Sequence, residues 1–473
     1  MDFTTDYRML IDGKMIAGAG EIDVVNPATG AKIATAPDCS AAQLDDAVAA
    51  ARRAFPGWKA TPIEQRSALL KAAAGVFMEN ADPLMRVLTS EQGKPHADAI
   101  GEMMGSAYWL ATVADMTLPV AVTEDTPERL SETRRVPLGV VGAISPWNFP
   151  VILSVWKIAP ALLAGNCMVL KPSPFTPLAV LKVGELLAGV FPPGVLNMVT
   201  GGDTLGPMIT SHPGIDKISF TGSSATGRRV MESASKDLKR LTLELGGNDA
   251  AIVMPDVDVQ RVAKELFWAA FKNTGQICVA TKRMYIHSAI YDELAAAMTA
   301  YAATVQVGDG AMQGTELGPI QNKPQFERVK GLLDDCRANG FRFLAGGEVD
   351  PDGKGYFIPI TIVDNPPDSA RIVKEEPFGP VLPLLKFDNV DEVVARANDS
   401  EYGLAGSVWS KDTDQARAIA ERLETGTVWI NEVQHLTPFA QFAGHKQSGF
   451  GVENGEEGLL EYTAPQTITL KRG

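Results

Sequence analysis

From residue 136 onward, short β-branched or apolar runs alternate with stretches of helical spacing, and this alternation restricts the possible folds more than any other feature. The order runs VVGAI, a helix from about Val151, NCMVLK, PLAVLKVGELLAG, VLNMVT, a short helix after Asp203, KISFTG, a helix from Ala225 and RLTLEL. Parallel strands need a crossover connection, and a helix supplies it, so the pattern predicts a parallel sheet covered on both faces. It resumes after Gly247 with AAIVM, a helix over 257–271, RMYIH, TIV, VLPLLKF, GSVWS and TVWIN, with helices expected over 391–398 and 412–423. Two consecutive α/β units are predicted, meeting near 245–248. Before them lie a turn-rich start with NPATG at 26–30 and helices expected from Ser40 and over 63–89. With 473 residues there is chain for about three domain-sized units, and no internal repeat, low-complexity tract or charged linker separates them.

Charge and cysteine usage remove several function classes. The net charge of −14 disfavours a nucleic-acid or anionic-membrane binder, since both need basic surface to meet phosphate. Four cysteines, Cys39, Cys167, Cys278 and Cys336, lie far apart without a CxxC pair, which fits a reduced, cytoplasmic protein rather than a disulfide or zinc scaffold. The first ten residues carry Asp2, Asp6 and Arg8 where a secretion signal needs an apolar core. The longest uncharged run, 136–156, is broken by Pro137, Gly139, Gly142, Pro146 and Pro150, so a membrane helix is not expected there. The five histidines show no metal-ligand spacing, and no metal is expected.

Three segments carry candidate chemistry. FKNTGQIC places Cys278 just after a glycine-containing loop, where a thiolate would be an effective nucleophile; the plainer reading is a small buried hydrophobe. LELGGN sets Glu244 at a strand end before two glycines, suited to general-base work, or else to a simple ion pair with a lysine. SPWNFP holds Asn148 between two prolines, suited to a preorganised oxyanion donor, or else to capping the next helix. Two further signals concern phosphate and ribose. GSSATG, from Gly222 to Gly227, follows a strand and opens a helix, so its N–H groups and Ser223 can receive a pyrophosphate. Arg228 and Arg229 stand where a nucleotide hydrolase has Lys and Ser/Thr, which excludes that class. KPSP puts Lys171 at another strand end, within reach of ribose hydroxyls if it is not simply a solvated loop lysine.

In order and spacing, PWNFP, WKIAPAL, KPSP, FTGSSATG, LELGGN, GQIC, EEPFGP, GTVWIN and GHKQSGFGVE resemble the motifs of the NAD(P)-dependent aldehyde dehydrogenase superfamily, in its hydrolytic branch, from about Tyr7 to the C-terminus. The resemblance implies a Rossmann-like NAD(P)-binding domain over 1–115 and 137–246, an α/β catalytic domain over 247–447, and a small β oligomerisation element over 116–136 and 448–473. It implies Cys278 as nucleophile, Glu244 as general base, Asn148 with the Cys278 N–H as oxyanion hole, and Lys157 with Glu453 as a proton relay. For the coenzyme it implies Lys171 at the adenosine ribose, Ser223 at the pyrophosphate, Glu376 at the nicotinamide ribose and Phe378 beside the ring. Ile144, Ser145, Pro146, Trp147, Ser173, Pro174, Gly222, Gly227, Leu245 and Gly246 complete that set.

The positions implied to line the aldehyde tunnel are Phe149, Leu153, Trp156, Ile277, Val279, Leu436 and Phe442. This is an apolar, partly aromatic set, which points to aromatic or medium-chain aliphatic aldehydes. Two departures stand out: Pro174 replaces the glutamate of many NAD-preferring members, which leaves NAD and NADP both open, and Ala443 replaces a glycine. A homodimer or homotetramer is implied. Two other readings remain, a CoA-acylating enzyme and a non-catalytic relative. The first lacks the general-base glutamate present here as Glu244, and the second would not need nucleophile, base and amide together.

Overall fold

Five strands form a parallel core in the spatial order Leu196–Met198, Cys167–Lys171, Val140–Ile144, Lys217–Thr221, Arg240–Glu244. Almost every residue in them is buried, as expected when helices cover both faces. The computed structural model describes residues 3–472; Met1, Asp2 and Gly473, which the expected ranges include, lie outside the described residues. Chain order starts at Val140–Ile144, moves outward one way through Cys167–Lys171, then returns to build Lys217–Thr221 on the other side. The reversal leaves a crevice beyond the strand ends between these two halves, and the loops carrying Asn148 and Gly222 both flank it. Met9–Ile11 and Lys14–Ile16 extend one edge antiparallel, and Gly449–Phe450 pairs antiparallel with Arg240–Glu244 at the other.

A second sheet of seven strands runs Arg342–Ala345, Thr361–Asp364, Val381–Phe387, Thr281–His287, Asp249–Val253, Ala405–Trp409, Thr427–Ile430, parallel apart from its first pair. Every strand expected between 249 and 430 falls in it. A third, small sheet joins Ala121–Asp125, Arg129–Pro137 and Thr463–Lys471. Of the tail from 448, only Thr463–Lys471 enters this small sheet. Gly449–Phe450 belongs to the first sheet and Gly455–Leu460 is a helix whose Leu459 buries in the core around that sheet.

Two helix expectations need correction. The stretch 63–89 is two helices, Ile63–Glu79 and Ala81–Gln92, broken at Asn80, whose side-chain amide donates to the Val76 carbonyl in place of continued helical geometry. The helix expected from 257 starts as Val259–Phe271, because Asp258 caps it by accepting from the Arg261 N–H.

Candidate active site

Beyond Phe271 the backbone of Asn273, Thr274 and Gly275 turns left-handed, with φ of 49°, 59° and 71°. Such conformations cost energy for Asn and Thr, so the surroundings must hold them. The Thr274 hydroxyl donates to the Gly318 carbonyl (2.9 Å), the Gln276 amide donates to Asn273 O (3.0 Å) and Pro319 O (3.3 Å), and Gln276 Oε1 accepts from the Gln321 N–H (2.9 Å). A Cβ on Gly275 would collide with the Gly379 carbonyl, so GQIC and EEPFGP interlock through this glycine. The turn delivers Cys278 half-buried at the cavity wall. Burial pushes its thiol up to about 12, and the Lys282 ammonium is the main pull in the other direction.

Asn148 faces the same loop: its Nδ2 donates to the Gln276 carbonyl at 3.0 Å. Its own carbonyl accepts from Lys94 Nζ (2.9 Å) and Asn273 Nδ2 (3.3 Å). Lys94 is fully buried and pairs with Glu102 at 2.6 Å, while Glu102 Oε1 accepts from the N–H groups of Val151 (2.9 Å) and Ile152 (3.2 Å). Glu102 therefore satisfies the start of the helix Pro150–Leu163, and the capping alternative for Asn148 is set aside.

Glu244 ends its strand 4% exposed, with no hydrogen-bond partner on either carboxylate oxygen. The alternative of an ion pair with lysine is thereby excluded for this conformation. Burial, then the nearby Glu453 charge, holds its pKa well above the usual carboxylate range, opposed by Lys157. Lys157 and Glu453 form a buried pair at 2.7 Å. Glu453 also accepts from Ser219 (3.3 Å), whose hydroxyl accepts from Tyr462 (3.2 Å).

Two cavities meet at these groups. One, of about 250 Å³, is walled by Phe149, Leu153, Trp156, Ile277, Val279, Leu436 and Phe442, together with Glu244. Lys272 of the FKNTGQIC segment also lines it, as do Trp109, Ile152 and Gln434, which no local motif marked. Trp109 stacks on Trp156 at 5.3 Å, and Phe442 stands edge-on to Trp156 at 6.0 Å. The other, of about 360 Å³, is walled by Pro146, Trp147, Gly222, Ser223, Gly246, Glu376 and Phe378, and also by Arg228, Arg328 and Tyr402. Asn148, Leu153, Thr221, Leu245 and Cys278 belong to both walls.

The second cleft receives the N-terminal end of the helix Ser224–Ala234, capped by Ser223. Six of the expected coenzyme residues do not wall it. Ile144 and Ser145 sit under the strand end, the Ser145 hydroxyl bonded to Ser154 (2.8 Å), and Gly227 packs against Leu245. Lys171, Ser173 and Pro174 lie beyond it at the end of their strand. There the Lys171 ammonium is buried and donates to the Pro172 carbonyl (3.2 Å); burial pushes it down to about 8 against the pull of Asp203 and Asp38. Among the described residues no group of His, Cys, Asp and Glu is placed to hold a metal, and no helix is long and apolar enough to cross a membrane.

Known proteins are similar to this chain over nearly its whole length. The sequence profile described as "Aldehyde dehydrogenase family" matches residues 15–468. Aldehyde dehydrogenase LUC3 of Fusarium sp is 40% identical over 99% of this chain and 100% of its own length. Retinaldehyde dehydrogenase 3 of Homo sapiens is 41% identical over 95% of this chain and 89% of its own. The NAD+ complex structure of aldehyde dehydrogenase from Bacillus cereus superposes with a TM-score of 0.96 at 34% identity, covering 99% of this chain and 97% of that one. A profile match over nearly the full length, with relatives at this identity and a common fold, places the chain in the aldehyde dehydrogenase family.

Proposed function

We propose that the protein oxidises aromatic or medium-chain aliphatic aldehydes to carboxylic acids with NAD or NADP, through a thioester on Cys278. The observation that carries this reading is the meeting of the two cavities at Cys278 and Asn148: one apolar, one ending on a helix N-terminus. The second cleft fits a dinucleotide. Gly222 and Gly246 leave room where a Cβ would strike Phe220 and Glu376, the helix end offers N–H groups to phosphate, and Glu376 presents a carboxylate suited to ribose hydroxyls.

The Cys278 thiolate adds to the aldehyde carbon, and the oxygen that takes up the negative charge faces the Asn148 amide and the Cys278 N–H. The coenzyme, when bound, supplies the hydride acceptor that turns the thiohemiacetal into a thioester. Glu244 then takes a proton from water, the hydroxyl attacks the thioester carbon, and the acid leaves as the thiolate is restored. A buried carboxylate without hydrogen bonds is a stronger base than an exposed one, which suits that task. The neighbouring Lys157–Glu453 pair offers the proton a way out. The four unpaired cysteines agree with a cytoplasmic setting.

Substrate choice follows from the walls. Apart from Glu244, no acidic group and no arginine lines the aldehyde cavity, and exposed Lys272 contributes little after solvent screening. An aldehyde with a short charged tail would lose hydration without gaining a partner. Benzaldehyde and hexanal should therefore give a higher kcat/KM than succinic semialdehyde; the reverse order in a steady-state panel would refute this substrate class.

Coenzyme choice rests on Pro174, which neither accepts from ribose hydroxyls nor repels a 2′-phosphate as a glutamate would. Lys171 adds only modest attraction, since two carboxylates already offset its charge. NAD and NADP efficiencies should lie within about a hundredfold, roughly 2.7 kcal/mol. Pro174→Glu should shift the ratio toward NAD through KM for NADP. No detectable NADP reduction in the wild type, or an unchanged ratio in the variant, would assign the choice to other residues.

Assembly as a dimer or dimer of dimers is supported by the small sheet, where Val122, Ile468 and Leu470 are exposed. Deleting 462–473 should give aggregated or inactive protein by size-exclusion chromatography and assay. A soluble, active monomer would contradict the assignment.

A further inference from the structure

The strand Thr281–His287 starts directly after the loop that carries Cys278, and Lys282 points inward from it, 3% exposed. Its ammonium donates to the carbonyls of Ile277 (2.9 Å) and Cys278 (2.5 Å) and pairs with Glu376 at 3.3 Å. Two hydrogen bonds and one ion pair thus converge on the ammonium, and the Phe378 ring lies 5.9 Å away. Asp249 is buried close by, with one oxygen unpartnered. Glu376 is further fixed by accepting from the Gly247 N–H at 3.1 Å.

A buried ammonium is a poor way to gain stability, since losing its hydration offsets much of the pairing energy. What it does supply is geometry and charge at one point, where the thiol loop and the coenzyme-side carboxylate meet. We propose that Lys282 is a positioning residue, one buried cation that fixes the carbonyls flanking the Cys278 thiol together with the Glu376 carboxylate and keeps positive charge behind the thiol. The proposal rests on the reading of Cys278 as nucleophile and Glu376 as coenzyme ligand.

The charged groups that act on the Cys278 thiol are Lys282, Asp249, Glu376 and Glu244. Three are acidic and raise its pKa; Lys282 lowers it. Without Lys282 the thiolate should be scarcer at neutral pH, and Glu376 should lose its anchor.

The test uses full-length Lys282→Met and Lys282→Arg, with thermal unfolding to establish that each is folded. Iodoacetamide alkylation of the enzyme without coenzyme is followed against pH, with Cys278→Ala as the control for the three other cysteines, all buried. Lys282→Met should alkylate about tenfold more slowly near neutral pH, its profile displaced upward by about one unit. KM for NAD should rise severalfold while KM for aldehyde stays within about twofold, and Lys282→Arg should recover most of the alkylation rate. A merely structural role would lower Tm without moving the alkylation profile. A folded Lys282→Met with the wild-type profile and wild-type KM for NAD would overturn the proposal. If that variant does not fold, the same two readouts on Lys282→Gln decide. Glu376→Gln measured in parallel separates the two readings: an unchanged KM for NAD there defeats the coenzyme role of Glu376, while the alkylation result, obtained without coenzyme, judges Lys282 by itself.

Discussion

Glu244→Gln should reduce one equivalent of coenzyme per active site and then stall, while Cys278→Ala should reduce none. The two side chains act at different steps: the thiol must bond to carbon before hydride transfer, and the carboxylate is needed only when water attacks the thioester. Steady-state turnover should fall by about 10⁴-fold or more in either variant, because each removes a group that acts as part of a unit. Stopped-flow absorbance of the reduced coenzyme separates them, since only Glu244→Gln retains the burst. Wild-type turnover in Glu244→Gln near neutral pH would remove Glu244 from the role of base.

The same carboxylate sets a pH dependence of stability. Its pKa is raised on folding, so between the unfolded carboxylate range and the folded value the native state binds the extra proton, and stability falls as pH rises through that window. Glu244→Gln removes this penalty. Its Tm should match the wild type near pH 4 and exceed it by a margin that grows toward pH 8, measured by calorimetry across about pH 4–8. An active site that keeps a buried, unpartnered carboxylate is less stable than it could be, and the base strength explains why.

Asn148→Ala should lower kcat by about 10²–10³, or roughly 2.7–4 kcal/mol, with little change in KM for aldehyde. The amide is held for this purpose: Lys94 and Asn273 grip its backbone carbonyl, and the Nδ2 donor already points at the chain segment leading into Cys278. Such a donor pays off only once negative charge develops on the substrate oxygen, so ground-state binding should hardly notice its loss. A rise in KM with unchanged kcat would mean that Asn148 binds substrate and does not stabilise the oxyanion.

Local sequence patterns make the two parallel sheets legible, and with them the segments that carry Asn148, Gly222, Glu244 and Cys278. Asn148 and Gly222 follow strands and Glu244 ends one, so their position at the crevice follows from the alternation itself, whereas Cys278 comes on a turn after the helix Val259–Phe271. What could not be read are the supports that arrive from distant segments. Lys94 and Glu102 lie on the loop and helix before the small sheet, where nothing in their spacing signals a grip on residue 148. Trp109 looks like any apolar residue of the helix His96–Ala114 until it stacks on Trp156. Lys282 lies just before the expected strand RMYIH, and only the fold shows its ammonium donating to the carbonyls of Ile277 and Cys278. The break at Asn80 was hidden for a related reason: an asparagine amide competes with the backbone only once the helix exists.

On this mechanism the carbon of the aldehyde passes through a covalent bond to Cys278. The most direct measurement is peptide mass spectrometry of Glu244→Gln, quenched in acid after mixing with benzaldehyde and NAD. The peptide that contains Cys278 should carry a benzoyl group that is lost on treatment with hydroxylamine. An unmodified Cys278 peptide, in a sample whose coenzyme has been reduced, would contradict it.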